Sequence, residues 1–271
     1  MFVCDRVSSY RVCAIGTGGA RLQDAHVGVW SVHGFNHAII ELSDHLSPFE
    51  ISRANSFFRA EDRQAYVAAH VLLRLLIAQR FDVAPREINF KSTVLGKPIL
   101  EKGPHFSISH TRNAVAVAIC EDIPVGVDVE EVSERLYVND LAADIMSAGE
   151  LEIWNALDEH RKRSWFFERW VHKESVLKAL GDGLSYPLAK LELTECSSSE
   201  EVVALQCVRD GQVVLSCRLD VGQPMEGAVS CISKAMVVAH HEVRFQNAGG
   251  ISGADLLADE WRFIAQGLIK C

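Results

Sequence analysis

Residues Val125-Gly126-Val127-Asp128-Val129-Glu130 alternate between valine and a small or acidic residue. A period of two is the side-chain period of a β-strand, so the valines share one face and Gly126, Asp128 and Glu130 share the other. The valine face needs apolar cover, and two carboxylates on the opposite face are costly against anything but water or a cation. This segment therefore demands a sheet covered on one side, with water or a cation against the other. Residues 163–180 have the pattern of a long helix ended by Gly181-Asp182-Gly183. That helix carries Glu174 with Lys178 one turn further on, after Trp165, Phe166, Phe167 and Trp170.

Spacing alone leaves two readings open. A Glu174/Lys178 pair at i, i+4 is a common decoration of an exposed helix, worth ~0.3–0.5 kcal/mol, and an Asp-x-Glu strand can simply face water. In the other reading Asp128, Glu130 and Glu174 converge from two elements on a hard cation. Mg2+ takes oxygen ligands and keeps positions for substrate phosphate, and a nearby lysine neutralises charge the metal does not reach. The apolar setting of the helix favours this second reading.

Of 271 residues, 48% are hydrophobic and 23% charged, which suits a globular protein with a sizeable core. The 27 basic and 36 acidic side chains give a net charge of −9, which argues against a protein that coats nucleic acid or an anionic membrane. No run approaches the ~18 apolar residues of a membrane helix, and residues 12–15 fall short of the ~7–15 of a secretory signal. Eight cysteines without a C-x-x-C pair read as buried small hydrophobes of a cytoplasmic protein.

Residues 27–40 read as a strand pair and Ser47-Pro48 with Glu50 as a helix start. A second helix carries Tyr66, Ala69, Leu72, Leu73, Leu76 and Ile77 at helical spacing. Strands follow at 88–91, 105–109 and 114–120, with a turn at Gly96-Lys97-Pro98. Beyond the 125–130 strand come helices at 141–157 and 163–180, then strands at 191–194, 202–208, 213–219 and 227–232. The order strand, helix, strands thus occurs twice. We expect a poorly packed N-terminal extension (1–26), an N-terminal lobe (27–122), a C-terminal lobe with the metal site (123–234) and a tail (235–271) with a helix at 254–269. Gly16-Thr17-Gly18-Gly19 is not a dinucleotide loop, because Arg21 stands where the fingerprint requires glycine.

Gly126-Val127-Asp128-Val129-Glu130 resembles the G-[IV]-D-[IVL]-E motif of the 4′-phosphopantetheinyl transferases. Trp170-Val171-His172-Lys173-Glu174-Ser175-Val176-Leu177-Lys178 resembles their W-[ST]-x-K-E-[AS]-x-x-K motif. Gly96-Lys97-Pro98 and Phe106-Ser107-Ile108-Ser109-His110 resemble two further motifs of the larger, surfactin-synthetase-activating kind, in the same order. The resemblance covers residues 27–233. It implies an α/β (α+β) fold of two pseudo-symmetric lobes, each a small sheet packed on helices, acting as a monomer with coenzyme A in the cleft. It implies Mg2+-dependent transfer of the phosphopantetheine arm of coenzyme A to a serine of an apo acyl or peptidyl carrier protein, releasing adenosine 3′,5′-bisphosphate. It also implies metal ligands at Asp128, Glu130 and Glu174, with Glu174 and Lys178 catalytic. Arg53, Lys97, Ser109, His110 and Lys178 become coenzyme A contacts, and Glu150 an aid to deprotonating the carrier serine, with a metal-held water as the other candidate.

The chain departs from the pattern at two places. Val171 stands where Ser or Thr is usual, and Glu50 and Arg53 stand where some relatives carry two basic residues, which weakens the expected grip on the coenzyme A 3′-phosphate. Arg59 and Arg63 are the candidate substitutes, and Arg161-Lys162-Arg163 is a candidate docking patch for an acidic carrier protein. The competing functions are a coenzyme A binding module and another Mg2+-dependent pyrophosphate-cleaving enzyme. A Walker-type nucleotide loop is disfavoured, since Pro98 follows Gly96-Lys97 and position 91 is Lys.

Overall fold

A computed structural model describes residues 7–14, 23–31, 43–112, 114–121, 123–181, 183, 186–198, 203–209, 212–219, 221, 224–232 and 236–243. In chain order the elements are β1 (Val7–Ala14), β2 (Gln23–Ser31), α1 (Pro48–Asn55), α2 (Ala60–Phe81), β3 (Lys91–Ser92), β4 (Pro98–Ile99), β5 (His105–His110), β6 (Ala114–Cys120) and β7 (Val125–Glu131). Then follow α3 (Val138–Ile145), α4 (Ala148–Ala156), α5 (Glu159–Leu180), β8 (Thr194–Ser198), β9 (Val203–Arg209), β10 (Gln212–Leu219), β11 (Met225–Ile232) and β12 (Met236–Val243). Two five-stranded antiparallel sheets result, ordered β12-β1-β2-β6-β5 and β7-β11-β10-β9-β8, with β3 and β4 as a separate small pair.

The two sheets meet through β6 and β7. Val115, Val117 and Ile119 of β6 pack with Phe106 against Val67, Val71 and Leu72 of α2. Ala116, Ala118 and Cys120, on the other face of β6, meet Val125, Val127 and Val129. Small residues opposite valines let the sheets approach closely, and each valine, at most 1% exposed, contributes ~1.5–3 kcal/mol of burial. The apolar cover demanded by the valine face is thus the neighbouring lobe. On the opposite face of the second sheet, α5 packs Val176, Leu177 and Ala179 with Leu205, Cys207 and Val214. Trp154 of α4 joins Phe166 and Phe167 of α5 and Ile145 of α3 in a further aromatic cluster.

The structure corrects several sequence expectations. Two stretches set outside the lobes contribute strands to the first sheet: β1 pairs with β2 on one side and with β12 on the other. The partners in β1 and β12 are more than 200 residues apart in sequence, beyond the reach of local pattern, as the register Val7↔Val243 shows. The expected helix at 141–157 is two helices, because Ser147 caps α4: its hydroxyl accepts from Glu150 N at 3.3 Å, while the Glu150 carboxylate accepts from Ser147 N at 2.8 Å. The strand expected at 191–194 begins only at Thr194, after a single 3-10 turn at Leu188–Lys190. Of the strand pair expected at 27–40, β2 ends at Ser31 and the remainder lies outside the described residues, as does the helix expected at 254–269. Cys120, Cys207, Cys217 and Cys231 are buried thiols, as small hydrophobes. Among the described residues no helix is long and apolar enough to cross a membrane.

Candidate active site

Gly126 decides how near α5 comes to β7. A Cβ there would lie 1.9 Å from the Ser175 carbonyl oxygen and 2.5 Å from Ala179 N, so only glycine admits the helix at this depth. Hydrogen bonds then fix its rotation. Ser175 Oγ lies 2.6 Å from Ser230 Oγ on β11, and His172 Nδ1 lies 2.6 Å from Ser216 Oγ on β10. Burial pushes the His172 imidazole down to about 3, so it stays neutral.

With the helix so placed, Glu174 and Lys178 meet Asp128 and Glu130. Lys178 Nζ donates to Asp128 Oδ1 at 2.6 Å and to the Val127 carbonyl at 3.1 Å. Burial, with Asp128 next in weight, raises both the Glu130 and the Glu174 carboxyls to about 7, and Lys178 only partly offsets this. Asp128 Oδ2 is buried and has no partner. Three carboxyls therefore share one ammonium, and a hard divalent cation suits the oxygen donors left over. Among the described residues no three His, Cys, Asp or Glu side chains yet stand as a finished ligand set. Asp128 Oδ1 is occupied by both Lys178 and Ser109.

Ser109 Oγ donates to Asp128 Oδ1 at 2.7 Å and accepts from Val129 N at 3.4 Å, and Ser107 Oγ accepts from Val127 N at 3.1 Å. These two hydroxyls stitch the edge strand β5 to the edge strand β7 and aim Asp128. Lys97, on the turn between β3 and β4, donates to the Lys178 carbonyl at 2.5 Å, so its ammonium rests on the C-terminal end of α5. Desolvation, with Lys178 beside it, lowers the Lys97 ammonium below its ordinary value. His110 ends β5, and desolvation followed by the charges of His70 and Lys178 holds its imidazole below the usual range. Asp128, Glu130, Glu174, Lys178, Ser109, Lys97 and His110 are thus gathered at the junction of the lobes.

Two expected site residues have other contacts. Arg53 is exposed on α1, with its guanidinium 5.3 Å from the centre of the Phe57 ring. Glu150 is 3% exposed; its Oε2 accepts from Ser147 N at 2.8 Å and meets the ammonium of Lys173 at 2.5 Å, while its buried Oε1 has no partner. Lys173 also donates to the carbonyls of Ile145 at 2.7 Å and Leu188 at 3.1 Å. A carboxylate so enclosed does not face a serine delivered from solvent. In the 161–163 charge run, Lys162 bonds Glu159 at 2.6 Å and Arg163 bonds the Leu136 carbonyl at 2.9 Å, so both serve the chain itself.

Sequence reasoning missed the network of Glu50, His70 and Arg74. Arg74, 1% exposed, donates to Glu50 from Nε at 2.9 Å, and His70 Nδ1 lies 2.9 Å from the same carboxylate. The signal was there in the spacing, since Tyr66, His70 and Arg74 recur every four residues along the otherwise apolar stretch 65–78 of the helix.

Residues 124–220 match the family model described as the 4′-phosphopantetheinyl transferase superfamily, and residues 33–122 match the model for the N-terminal part of a 4′-phosphopantetheinyl transferase. The 4′-phosphopantetheinyl transferase HetI of Nostoc is 33% identical over 160 residues, which is 57% of this chain and 66% of that protein. The transferase Sfp of Bacillus subtilis is 28% identical over 53% of this chain and 63% of its own length. The human L-aminoadipate-semialdehyde dehydrogenase-phosphopantetheinyl transferase is 28% identical over 54% of this chain and 52% of its own. The match therefore spans between half and two thirds of these curated relatives. Both models fall in chain order on the two lobes, and the chain belongs to the 4′-phosphopantetheinyl transferase superfamily.

Proposed function

We propose that this protein transfers the 4′-phosphopantetheine arm of coenzyme A to a serine of an apo acyl or peptidyl carrier protein, releasing adenosine 3′,5′-bisphosphate, and that it does so as a monomer. The observation that carries this reading is the meeting of Asp128, Glu130 and Glu174 with Lys178 at the lobe junction, in a chain of this family. In the reaction the serine oxygen bonds to the phosphorus that bears pantetheine. The bond from that phosphorus to the bridging oxygen breaks, and adenosine 3′,5′-bisphosphate leaves with the electron pair.

Asp128, Glu130 and Glu174 would hold Mg2+, which when bound supplies Lewis-acid neutralisation of pyrophosphate charge. Lys178, held by Asp128 and Val127, offers a fixed positive charge to the same phosphates. Lys97 adds a second ammonium from the opposite lobe, and His110 a third nitrogen donor at the end of β5. Ser109 serves by orienting Asp128, alongside any contact it makes to the ligand. We assign Glu150 a positioning role through Lys173, which leaves the serine proton to a solvent-borne base.

Purified protein incubated with Mg2+, coenzyme A and apo carrier proteins will add the phosphopantetheine mass to at least one of them. Failure across acyl, aryl and peptidyl carriers, with coenzyme A still bound, would return the protein to the class of binding modules.

A further inference from the structure

Between α5 and the second sheet lies a set of buried polar side chains that touch neither the carboxylate cluster nor solvent. Three residues in register cross three strands beneath the helix: Gly126 of β7 is opposite Ser230 of β11, and Ser230 is opposite Ser216 of β10. Ser175 Oγ of α5 lies 2.6 Å from Ser230 Oγ, and His172 Nδ1, one turn earlier, lies 2.6 Å from Ser216 Oγ. None of these four polar side chains is more than 1% exposed, so they must satisfy one another.

The protons can be followed. Ser175 Oγ donates its one proton to the His172 carbonyl at 2.8 Å, so it accepts in its bond with Ser230. Ser216 Oγ is 3.4 Å from Ser175 Oγ and much nearer the imidazole, which makes His172 its principal partner. Each of the two short bonds ties the helix to a different strand. Neighbouring strands are ~4.8 Å apart, and residues three apart on a helix are ~4.5 Å apart along its axis. Two ties so spaced fix slide and rotation together, whereas one leaves the helix free to pivot about it. The apolar contacts of Val176, Leu177 and Ala179 are not directional.

Rotation matters because Glu174 directly precedes Ser175, and Asp128 lies two residues beyond Gly126. Pivoting α5 about the Ser175–Ser230 tie would swing Glu174 relative to Asp128 and Glu130. Position 172 is the unspecified one of the W-[ST]-x-K-E motif, so the resemblance to the family gives it no part. We infer that His172, through its hydrogen bond to Ser216, is a positioning residue for the cation site: it holds α5 at the rotation that brings Glu174 onto the same ion as Asp128 and Glu130. This rests on the proposed Mg2+-dependent transferase reading.

The test is calorimetric Mg2+ binding, with the melting temperature measured beside it, on wild type, His172→Leu, His172→Asn, Ser216→Ala and the double variant His172→Leu, Ser216→Ala. His172→Leu, Ser216→Ala and the double variant should weaken Mg2+ binding roughly tenfold. His172→Asn, whose amide places a polar atom where Nδ1 stands, should stay within about threefold of wild type. The double variant leaves neither hydroxyl nor imidazole unpaired and should melt above His172→Leu. A purely structural role would bring Mg2+ binding back together with the melting temperature, so wild-type affinity in the double variant overturns the inference. Unchanged affinity in Ser216→Ala overturns it too, and that variant, which loses a single oxygen atom, decides the matter if a His172 variant does not fold. So does a loss in His172→Asn as large as in His172→Leu. Each of these outcomes leaves the transferase reading standing. Wild-type protein that binds no Mg2+, alone or with coenzyme A, overturns that reading and the inference with it.

Discussion

The ammonium of Lys173 lies 2.5 Å from Glu150 Oε2 with both side chains closed off from solvent, 0% and 4% exposed. The pair joins the first turn of α4 to the middle of α5, and through the Ile145 and Leu188 carbonyls Lys173 also anchors the end of α3 and the turn before β8. Removing one partner of a buried pair costs about 3–5 kcal/mol, because the other charge is left without compensation. Glu150→Gln should therefore lower the melting temperature by roughly 10 °C. If Glu150 acts by position, transfer activity per folded molecule at low temperature stays within about threefold. A loss of roughly a hundredfold or more with an unchanged melting temperature would instead assign Glu150 to the serine proton.

Three carboxyls around one ammonium repel one another until a cation arrives. Glu174→Gln should raise the melting temperature of the metal-free protein by roughly 1–3 °C, since it removes one like charge from a buried cluster. The same substitution should abolish the further rise that Mg2+ produces in wild-type protein, together with transfer. Thermal melts with chelator and with Mg2+ measure both effects. A Glu174→Gln protein that still gains stability from Mg2+ would remove Glu174 from the ligand set.

Gly126→Ala places a methyl group 1.9 Å from a helix carbonyl that is itself hydrogen-bonded into α5. Backbone cannot rotate away as a side chain can, so α5 must shift. We expect destabilisation of about 1–3 kcal/mol or more. We also expect at least a ~100-fold fall in transfer rate in the protein that remains folded, because Glu174 and Lys178 move with the helix. A folded Gly126→Ala protein of normal rate would show that the helix depth is not what aligns the site.

Four titrating groups give the metal-free protein an unusual pH profile. Glu130 and Glu174, raised from 4.5 to about 7, bind protons in the folded state that the unfolded chain has released, so their contribution is lost as pH rises from 4.5 to 7. Glu50 is depressed from 4.5 to about 2 and His172 from 6.5 to about 3, so their contributions are lost as pH falls through those ranges. Between 6.5 and 4.5 the lowered imidazoles of His45, His110 and His172 act against the two raised carboxyls, whose own share is isolated by a Glu130→Gln, Glu174→Gln protein. In chelator, wild type should lose more of its urea midpoint than that variant does between about pH 5 and pH 8. Equal losses in the two proteins would contradict the raised carboxyls.

What was legible in the sequence was whatever repeats locally. The strand at 125–130 announced itself by alternation, α5 by its aromatic run and glycine end, and the convergence of Asp128, Glu130, Glu174 and Lys178 followed from placing those two elements together. Local pattern also held the break at Ser147, whose Ser-x-x-Glu signature is a helix cap, although Glu150 drew attention as a chemical group first. Hidden were relationships between distant residues: Ser109 reaching across to Asp128, Lys97 to the carbonyl of Lys178, and Glu50 to side chains 20 and 24 positions further on. Each depends on how faces are packed, and no period in the chain encodes a partner from another element.

The pairing of β1 with β12 has a topological consequence. Val7 and Val243 are opposite one another in the register, so the described chain leaves the sheet beside the place where it entered. A short linker can join those positions without crossing the molecule, and new ends opened at the exposed Tyr137 would give a circular permutant that retains both sheets. Severing the chain at the lobe boundary has the opposite effect. The first half is deprived of the strand that covers β1, whose unpaired edge then invites association with other chains. The two lobes resemble separable modules, yet in covalent order they form a single closed circuit.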